Sequence, residues 1–149
     1  MQYNELIKTQ FVPKPIDEVF SFFSKPENLE QITPKYLHFK IQTPSPIKME
    51  VGSIIDYTIK LRGIPMKWRS IISSYNPPYQ FIDEQISGPY SVWHHTHIFK
   101  EKDNGTEIED YVKYKIPLGF LGRITDYLFV KKDLDNIFEY RKEVINNIF

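Results

Sequence analysis

Residues 81–99 read FIDEQISGPYSVWHHTHIF, and this stretch decides the fold. Two runs of period two flank Ser87, Gly88 and Pro89, so the stretch is predicted to be two strands joined by a turn. Side chains on a strand alternate between its faces. Phe81, Asp83 and Gln85 therefore share one face of the first strand, and Trp93, His95, His97 and Phe99 share one face of the second. Both sets mix large rings with polar or titratable groups. A plain core face carries Val, Ile and Leu, and a plain solvent face carries Lys, Glu and Thr. A face that is both aromatic and polar suits the wall of an internal pocket, where apolar area binds and a few polar groups orient. The other reading of the same faces is an ordinary core with satisfied polar groups.

The period of two extends on both sides of this hairpin. Residues 66–75 place Trp68, Ser70 and Ile72 opposite Lys67, Arg69 and Ile71, and end at Asn76, Pro77 and Pro78. Residues 53–61 place Ile55, Tyr57, Ile59 and Leu61 opposite Ile54, Asp56, Thr58 and Lys60, with a turn signal at residues 62–65. Leu37, Phe39 and Ile41 predict a further strand beginning at Tyr36, and residues 3–12 predict the first strand. Downstream, Lys102-Asp103-Asn104-Gly105 is a strong turn signal. The strand after it, residues 106–116, puts Ile108, Asp110, Val112 and Tyr114 on one face.

Helices flank the strands. Pro13 and Pro15 make a corner, and Pro15, Asp17 and Glu18 mark a helix start, with acids where the helix dipole favours them. Val19, Phe20, Phe22 and Phe23 make that helix short and apolar, finished before Pro26. Residues 26–32 predict a second short helix. Residues 117–122 form a hinge-like loop, readable as a gate at a cavity mouth or as a plain turn. Beyond it, Ile124, Tyr127, Leu128, Leu134, Ile137, Phe138, Val144, Ile145 and Ile148 recur at helical spacing. A helix with that stripe needs a large apolar partner, and the sheet is the only candidate. Strands joined by hairpin turns argue antiparallel pairing and an α+β class. The predicted architecture is a helix-grip fold: a curved antiparallel sheet of six or seven strands wrapped around one long C-terminal helix.

Composition bounds the function. The 149 residues fit one ligand-binding domain spanning residues 1–149. Lys and Arg total 19, as do Asp and Glu, so no basic patch argues for a nucleic-acid partner. The chain has no cysteine, which excludes a disulfide framework and a thiolate zinc site. The N-terminal residues show no signal-peptide pattern, and no apolar run nears the ~18 residues needed to cross a bilayer. These features predict a cytoplasmic protein with no membrane insertion. There is no phosphate-cradling glycine loop and no Gly-x-Ser-x-Gly elbow, so a hydrolase triad is not indicated.

Three segments carry a family resemblance: PKPIDEVFSFFSKPENLEQITP at residues 13–34, GPYSVWHHTHIF at 88–99, and IPLGFLG at 116–122 followed by DLDNIFEYR at 133–141. They resemble the SRPBCC superfamily, which includes START-like lipid carriers, birch-pollen-allergen-like proteins and bacterial polyketide cyclase or dehydrase domains. The chain is more similar to a bacterial subgroup labelled cyclase/dehydrase-like or cell division inhibitor-like. The resemblance implies the helix-grip fold and an internal hydrophobic cavity. It implies little about chemistry, because one fold carries many functions.

His95 and His97 lie two apart on one strand and project the same way. Asp83, Gln85, Asp110 and Tyr114 are predicted to point into the same concavity. Three readings of this cluster stay open. A buried hydrogen-bond network, anchoring a ligand head group or fixing the core, is favoured. Acid–base work on a carbonyl compound comes second, with His95 or His97 as the base and an Asp orienting it; the catalytic candidates are His95, His97 and Asp110. A metal held by both histidines and a carboxylate comes last. His94 points to the other face, and His38 is expected at the surface. No cofactor or metal is expected.

Arg141 falls on or beside the apolar stripe of the last helix. Inside a protein it needs an acidic partner, which Asp83 or Asp110 can supply, or it binds the carboxylate or phosphate head of a ligand. Tyr57, Trp68, Phe81, Trp93 and Phe138 are expected to line the pocket. The leading expectation is a carrier or sensor of a small hydrophobic molecule, such as a lipid, a polyketide-like compound or an aromatic. The alternatives are a cyclase/dehydratase-type enzyme and an interaction domain with a filled core.

Overall fold

The computed structural model describes residues 3–61, 63–117 and 129–149. Strand β1 (Asn4–Val12) leads into helix α1 (Ile16–Phe23). Two short 3-10 turns follow at Pro26–Leu29 and Lys35–Leu37, then strands β2 (Lys40–Ile41), β3 (Ile54–Leu61) and β4 (Ile64–Asn76). Strands β5 (Gln80–Ser87), β6 (Val92–Lys102) and β7 (Gly105–Lys115) precede the C-terminal helix α2 (Lys131–Ile148). All pairings are antiparallel, in a seven-stranded sheet ordered β1-β7-β6-β5-β4-β3-β2. This is the helix-grip α+β architecture expected from the alternation pattern.

Local sequence explains the elements that shape the inside. In α1, Ile16, Val19, Phe20 and Phe23 recur at i, i+3, i+4 and i+7, so one face is buried. That face meets the sheet through Phe20, whose ring stands edge-on to Phe81 and Phe99 at 6.0 and 5.2 Å. The pairing of β4 with β5 slips twice, between Arg69 and Ser70 and between Ile72 and Ser74. Such bulges bend a strand and increase its twist, which helps give the sheet its concave face. The β6–β7 turn places Asp103 and Asn104 at φ of 48° and 61°, as a two-residue hairpin requires. Gly105 is needed for another reason. A Cβ there would lie 2.6 Å from the Val12 carbonyl oxygen and 2.5 Å from the Phe11 ring, so only glycine lets β1 approach.

Two expectations change. The strand expected from Tyr36 is reduced to Lys40–Ile41. Pro34 starts a turn instead, in which Leu37 N–H donates to the Pro34 carbonyl and His38 N–H to that of Lys35. His38 then takes a left-handed backbone, so the alternation of Leu37 and Phe39 is not a strand's. The helix expected over residues 26–32 is a 3-10 turn at Pro26–Leu29, where Asn28 donates its side-chain amide to the Phe22 carbonyl. The proposed gate at 117–122 and the stripe positions Ile124, Tyr127 and Leu128 lie outside the described residues, apart from Pro117.

Helix α2 is tied to β1 by ion pairs from Lys8 to Asp135 and Glu139, and by the Gln10 amide donating to the Lys142 carbonyl. Its buried side chains are Leu134, Phe138 and Ile145, with Ile148 exposed at its end. The core forms two apolar clusters. One gathers Val12, the α1 phenylalanines, Phe81, Phe99, Ile108 and Ile145. The other gathers Leu6, Val112, Tyr114, Leu134 and Phe138.

Candidate functional site

A polar belt separates the two clusters. On β6, His97 and His95 lie between Phe99 of the first cluster and Trp93, which packs on the second. On β7, Asp110 lies between Ile108 and Val112, and on α2 Arg141 lies between Ile145 and Phe138. β5 contributes Asp83, two residues after Phe81. The period of two on three strands and a spacing of three to four on the helix bring these groups to one level.

Their connectivity is crossed. His95 pairs in register with Asp83, and His97 pairs with both Phe81 and Asp110. Yet His95 Nε2 meets Asp110 Oδ1 at 2.8 Å, and His97 Nε2 meets Asp83 Oδ2 at 2.6 Å. The contacts to the register partners are longer: His97 Nδ1 is 3.5 Å from Asp110 Oδ1, and His95 Nδ1 is 3.9 Å from Asp83 Oδ2. The four groups thus form a closed ring in which each carboxylate faces both imidazoles. The two imidazoles stack at 3.7 Å, and Phe81 stacks on the outer face of His97 at 4.0 Å.

Electrostatics keep the acids ionised. Burial pushes Asp110 up, but the His95 bond and the charges of His95, His97 and Arg141 outweigh it, holding the carboxyl at about 2. Asp83 is likewise held below the ordinary carboxylate value: burial raises it, and the His97 bond, both imidazoles and Arg141 more than offset that. With both carboxylates ionised, the imidazole N–H groups donate to them. His97 is pushed below its ordinary value by burial first and by its neighbour His95 second, against the pull of Asp83 and Asp110. Burial also raises Tyr57 well above its ordinary value, with the Asp83 charge adding to it.

Arg141 does not form the ion pair that its position suggested. No carboxylate among the described residues lies within ion-pair distance of it, and its Nε is buried with no hydrogen-bond partner. Its guanidinium instead lies over the Phe138 ring, 4.9 Å from the centroid. It lowers Asp83 and Asp110 only through space.

A two-lobed cavity opens against this belt. One lobe, about 110 Å³, is bounded by Ile72, Phe81, Asp83, His97 and residues of the first cluster. The other, also about 110 Å³, is bounded by Phe39, Leu61, Tyr90 and Phe138. Leu29, Tyr57, Trp68, Trp93, His95 and Arg141 line both lobes and form the waist. There Trp68 stacks on Tyr57 at 5.5 Å, stands edge-on to Trp93 at 5.3 Å, and donates its indole N–H to the Ser70 hydroxyl at 2.9 Å.

Tyr57, Trp68, Phe81, Asp83, Trp93, His95, His97, Phe138 and Arg141 thus sit in the cavity wall. Asp110 stands behind the histidines rather than in the wall. Gln85 and Tyr114, expected on the same concavity, line neither lobe. The Gln85 amide donates to the Tyr90 carbonyl at 2.6 Å and accepts the Tyr90 N–H at 3.0 Å, so it clamps the β5–β6 turn. Tyr114 is buried in the second cluster, edge-on to Tyr90. Sequence reasoning passed over Leu29, Met49 and Ser70. Ser70 was visible on the face of Trp68 and Ile72; Leu29 and Met49 come from irregular segments with no period to betray them.

Asp83, His95 and His97 each offer a ligand atom within 4.8 Å of the others, a spacing that invites a metal. Their orientation opposes it. The imidazole planes are within 24° of parallel at 3.7 Å, so their in-plane lone pairs do not converge on one ion at the ~2.0–2.1 Å that a metal–imidazole bond needs. The 2.6 Å contact between His97 and Asp83 is a hydrogen bond.

Among known proteins, the family described as polyketide cyclase / dehydrase and lipid transport matches residues 12–135. No curated protein matches the sequence. Solved structures share the fold at low identity. Protein CV1439 from Chromobacterium violaceum superposes with a TM-score of 0.74 at 12% identity, covering 97% of this chain and 96% of its own. Protein Ms6760 from Mycobacterium smegmatis gives 0.71 at 13% identity, with 99% and 96% covered. The major latex-like protein 151 of Panax ginseng gives 0.70 at 12% identity, with 97% and 96% covered.

Proposed function

Because this chain belongs to the polyketide cyclase / dehydrase and lipid transport family of the SRPBCC superfamily, we propose that it binds a small hydrophobic molecule between the sheet and helix α2, as a carrier or sensor. The observation that carries this reading is the cavity waist, where aromatic walls meet a polar belt inside an otherwise apolar core. Apolar area supplies affinity there, and the belt orients one polar end. The size of the lobes narrows the class. Each is of the order of the ~150 Å³ apolar cavity that holds a benzene molecule, which favours compact aromatic or short acyl compounds over a full-length lipid.

A direct test uses the protein's own reporters. Its two tryptophans, Trp68 and Trp93, both line the waist. Naphthalene-sized apolar compounds are expected to quench or shift their emission with saturation. An unchanged spectrum across a broad panel would favour the interaction-domain reading.

A second reading has an observation of its own. The His97–Asp83 and His95–Asp110 bonds, at 2.6 and 2.8 Å, are of the kind that hold a general base in one tautomer. In that reading the protein is a cyclase/dehydratase-type enzyme with His95 or His97 as base. His97→Gln separates the two. A carrier's affinity stays within about tenfold, or ~1.4 kcal/mol, whereas an enzyme loses turnover.

A further inference from the structure

We infer that the cavity's ligand is an anion, specifically a small aromatic carboxylate whose carboxylate accepts the Arg141 guanidinium. The inference deepens the proposed function and rests on its cavity. Arg141 is the only Lys or Arg among the described residues lining either lobe. It sits at the waist, in contact with both. Its Nε is buried without a partner, and a buried charged donor left unmade is expensive. Asp83 and Asp110 do not relieve it, because each already meets an imidazole Nε2 within 2.8 Å and neither comes within ion-pair distance of the guanidinium. The missing element is an acceptor oxygen, and the cavity is the space adjoining the donor.

The rest of the wall selects the body of the ligand. Phe138 covers one face of the guanidinium, so an incoming carboxylate meets its edge, where the planar N–H fork matches a carboxylate. Tyr57, Trp68 and Trp93 surround the space beside it, and a flat ring fits that aromatic waist and a lobe of about 110 Å³. A phosphate dianion is the poorer match, because Arg141 is the only Lys or Arg among the described residues of the lining and can offset one negative charge, while a second would face the nearby Asp83 and Asp110 carboxylates uncompensated.

The test compares benzoate, benzamide and toluene by calorimetric titration of the intact protein at pH 7, with inorganic phosphate as a second anion. Benzoate is expected to bind at least about tenfold tighter than benzamide, and phosphate alone not measurably. Arg141→Met is expected to remove that advantage, so that benzoate binds the variant no tighter than benzamide does. Arg141→Lys, which keeps the charge but not the fork, is expected to recover part of it. Equal binding of all three aromatics, unaffected by Arg141→Met, would overturn the anion assignment and leave the hydrophobic cavity standing. Tighter binding of phosphate than of benzoate would overturn the aromatic carboxylate. Failure of every aromatic to bind would overturn the cavity reading and this inference together.

Discussion

The imidazoles of His95 and His97 stack at 3.7 Å because each reaches past its register partner to the carboxylate on the diagonal. Direct bonding, His95 to Asp83 and His97 to Asp110, would use the same four residues in two separate pairs. Crossing them produces one network in which every charge change is felt by all members. Low local dielectric strengthens such bonds and raises the cost of breaking any one of them.

Coupling between the pairs is therefore measurable. Asp83→Asn and His97→Gln are each expected to destabilise the fold by about 1–3 kcal/mol, since each leaves a buried partner incompletely bonded. The double variant should lose less than the sum, with an interaction energy above ~0.5 kcal/mol. Urea unfolding of the four proteins checks this, and strict additivity would mean that the contact contributes nothing.

Acid sensitivity follows from the direction of the shifts. His97 faces Asp83 from β5, His95 on its own strand, Asp110 from β7 and the more distant Arg141 from α2. Its folded value lies below the ordinary 6.5, so the unfolded chain takes up a proton first and stability falls as pH drops below about 6.5. Asp110 moves from 3.8 to about 2, so the stability it confers is present above about 4 and lost as pH falls towards 2. For Asp110 alone this is roughly 2 kcal/mol. Unfolding midpoints from pH 8 to pH 2.5 should show both losses, and Asp110→Asn should shrink the lower one.

Closing the waist should abolish binding without disturbing the polar ring. Leu29 lines both lobes from the 3-10 turn and touches no member of the network by hydrogen bond. Leu29→Trp is expected to fill the junction and reduce affinity for aromatic probes by more than about tenfold, with a stability cost within the ~1–3 kcal/mol of overpacking. Retained affinity would place the ligand elsewhere.

The β1–β7 contact gives a test of the scaffold alone. Gly105→Ala would push a methyl group against the Val12 carbonyl oxygen and the Phe11 ring. Backbone cannot yield as a side chain does, so the expected cost is about 1–3 kcal/mol or more. Thermal unfolding checks it, and an unchanged midpoint would show that the two strands move apart freely.

Much of this was legible because strands repeat every two residues. Asp83, His95, His97 and Asp110 fall on inner faces by alternation alone, and Arg141 on or beside the buried stripe by helical spacing. Which carboxylate each histidine bonds was not legible. Register and diagonal partners lie within reach of the same ring, and only side-chain packing chooses between them. Gln85 misled for a related reason: its side chain turns back to Tyr90 to close the turn, a local bond that alternation does not encode. The strand expected after Tyr36 failed because Pro34 and the left-handed His38 impose a turn on an apolar alternation. Leu29 and Met49 reach the cavity from segments without a regular period.

Native mass spectrometry of the gently purified protein, followed by extraction and identification of any bound molecule, shows whether the cavity is occupied. A compact hydrophobic species is expected to co-purify, or one equivalent of an added aromatic carboxylate to shift the mass. A bare mass that no lipid or aromatic mixture changes would contradict that expectation.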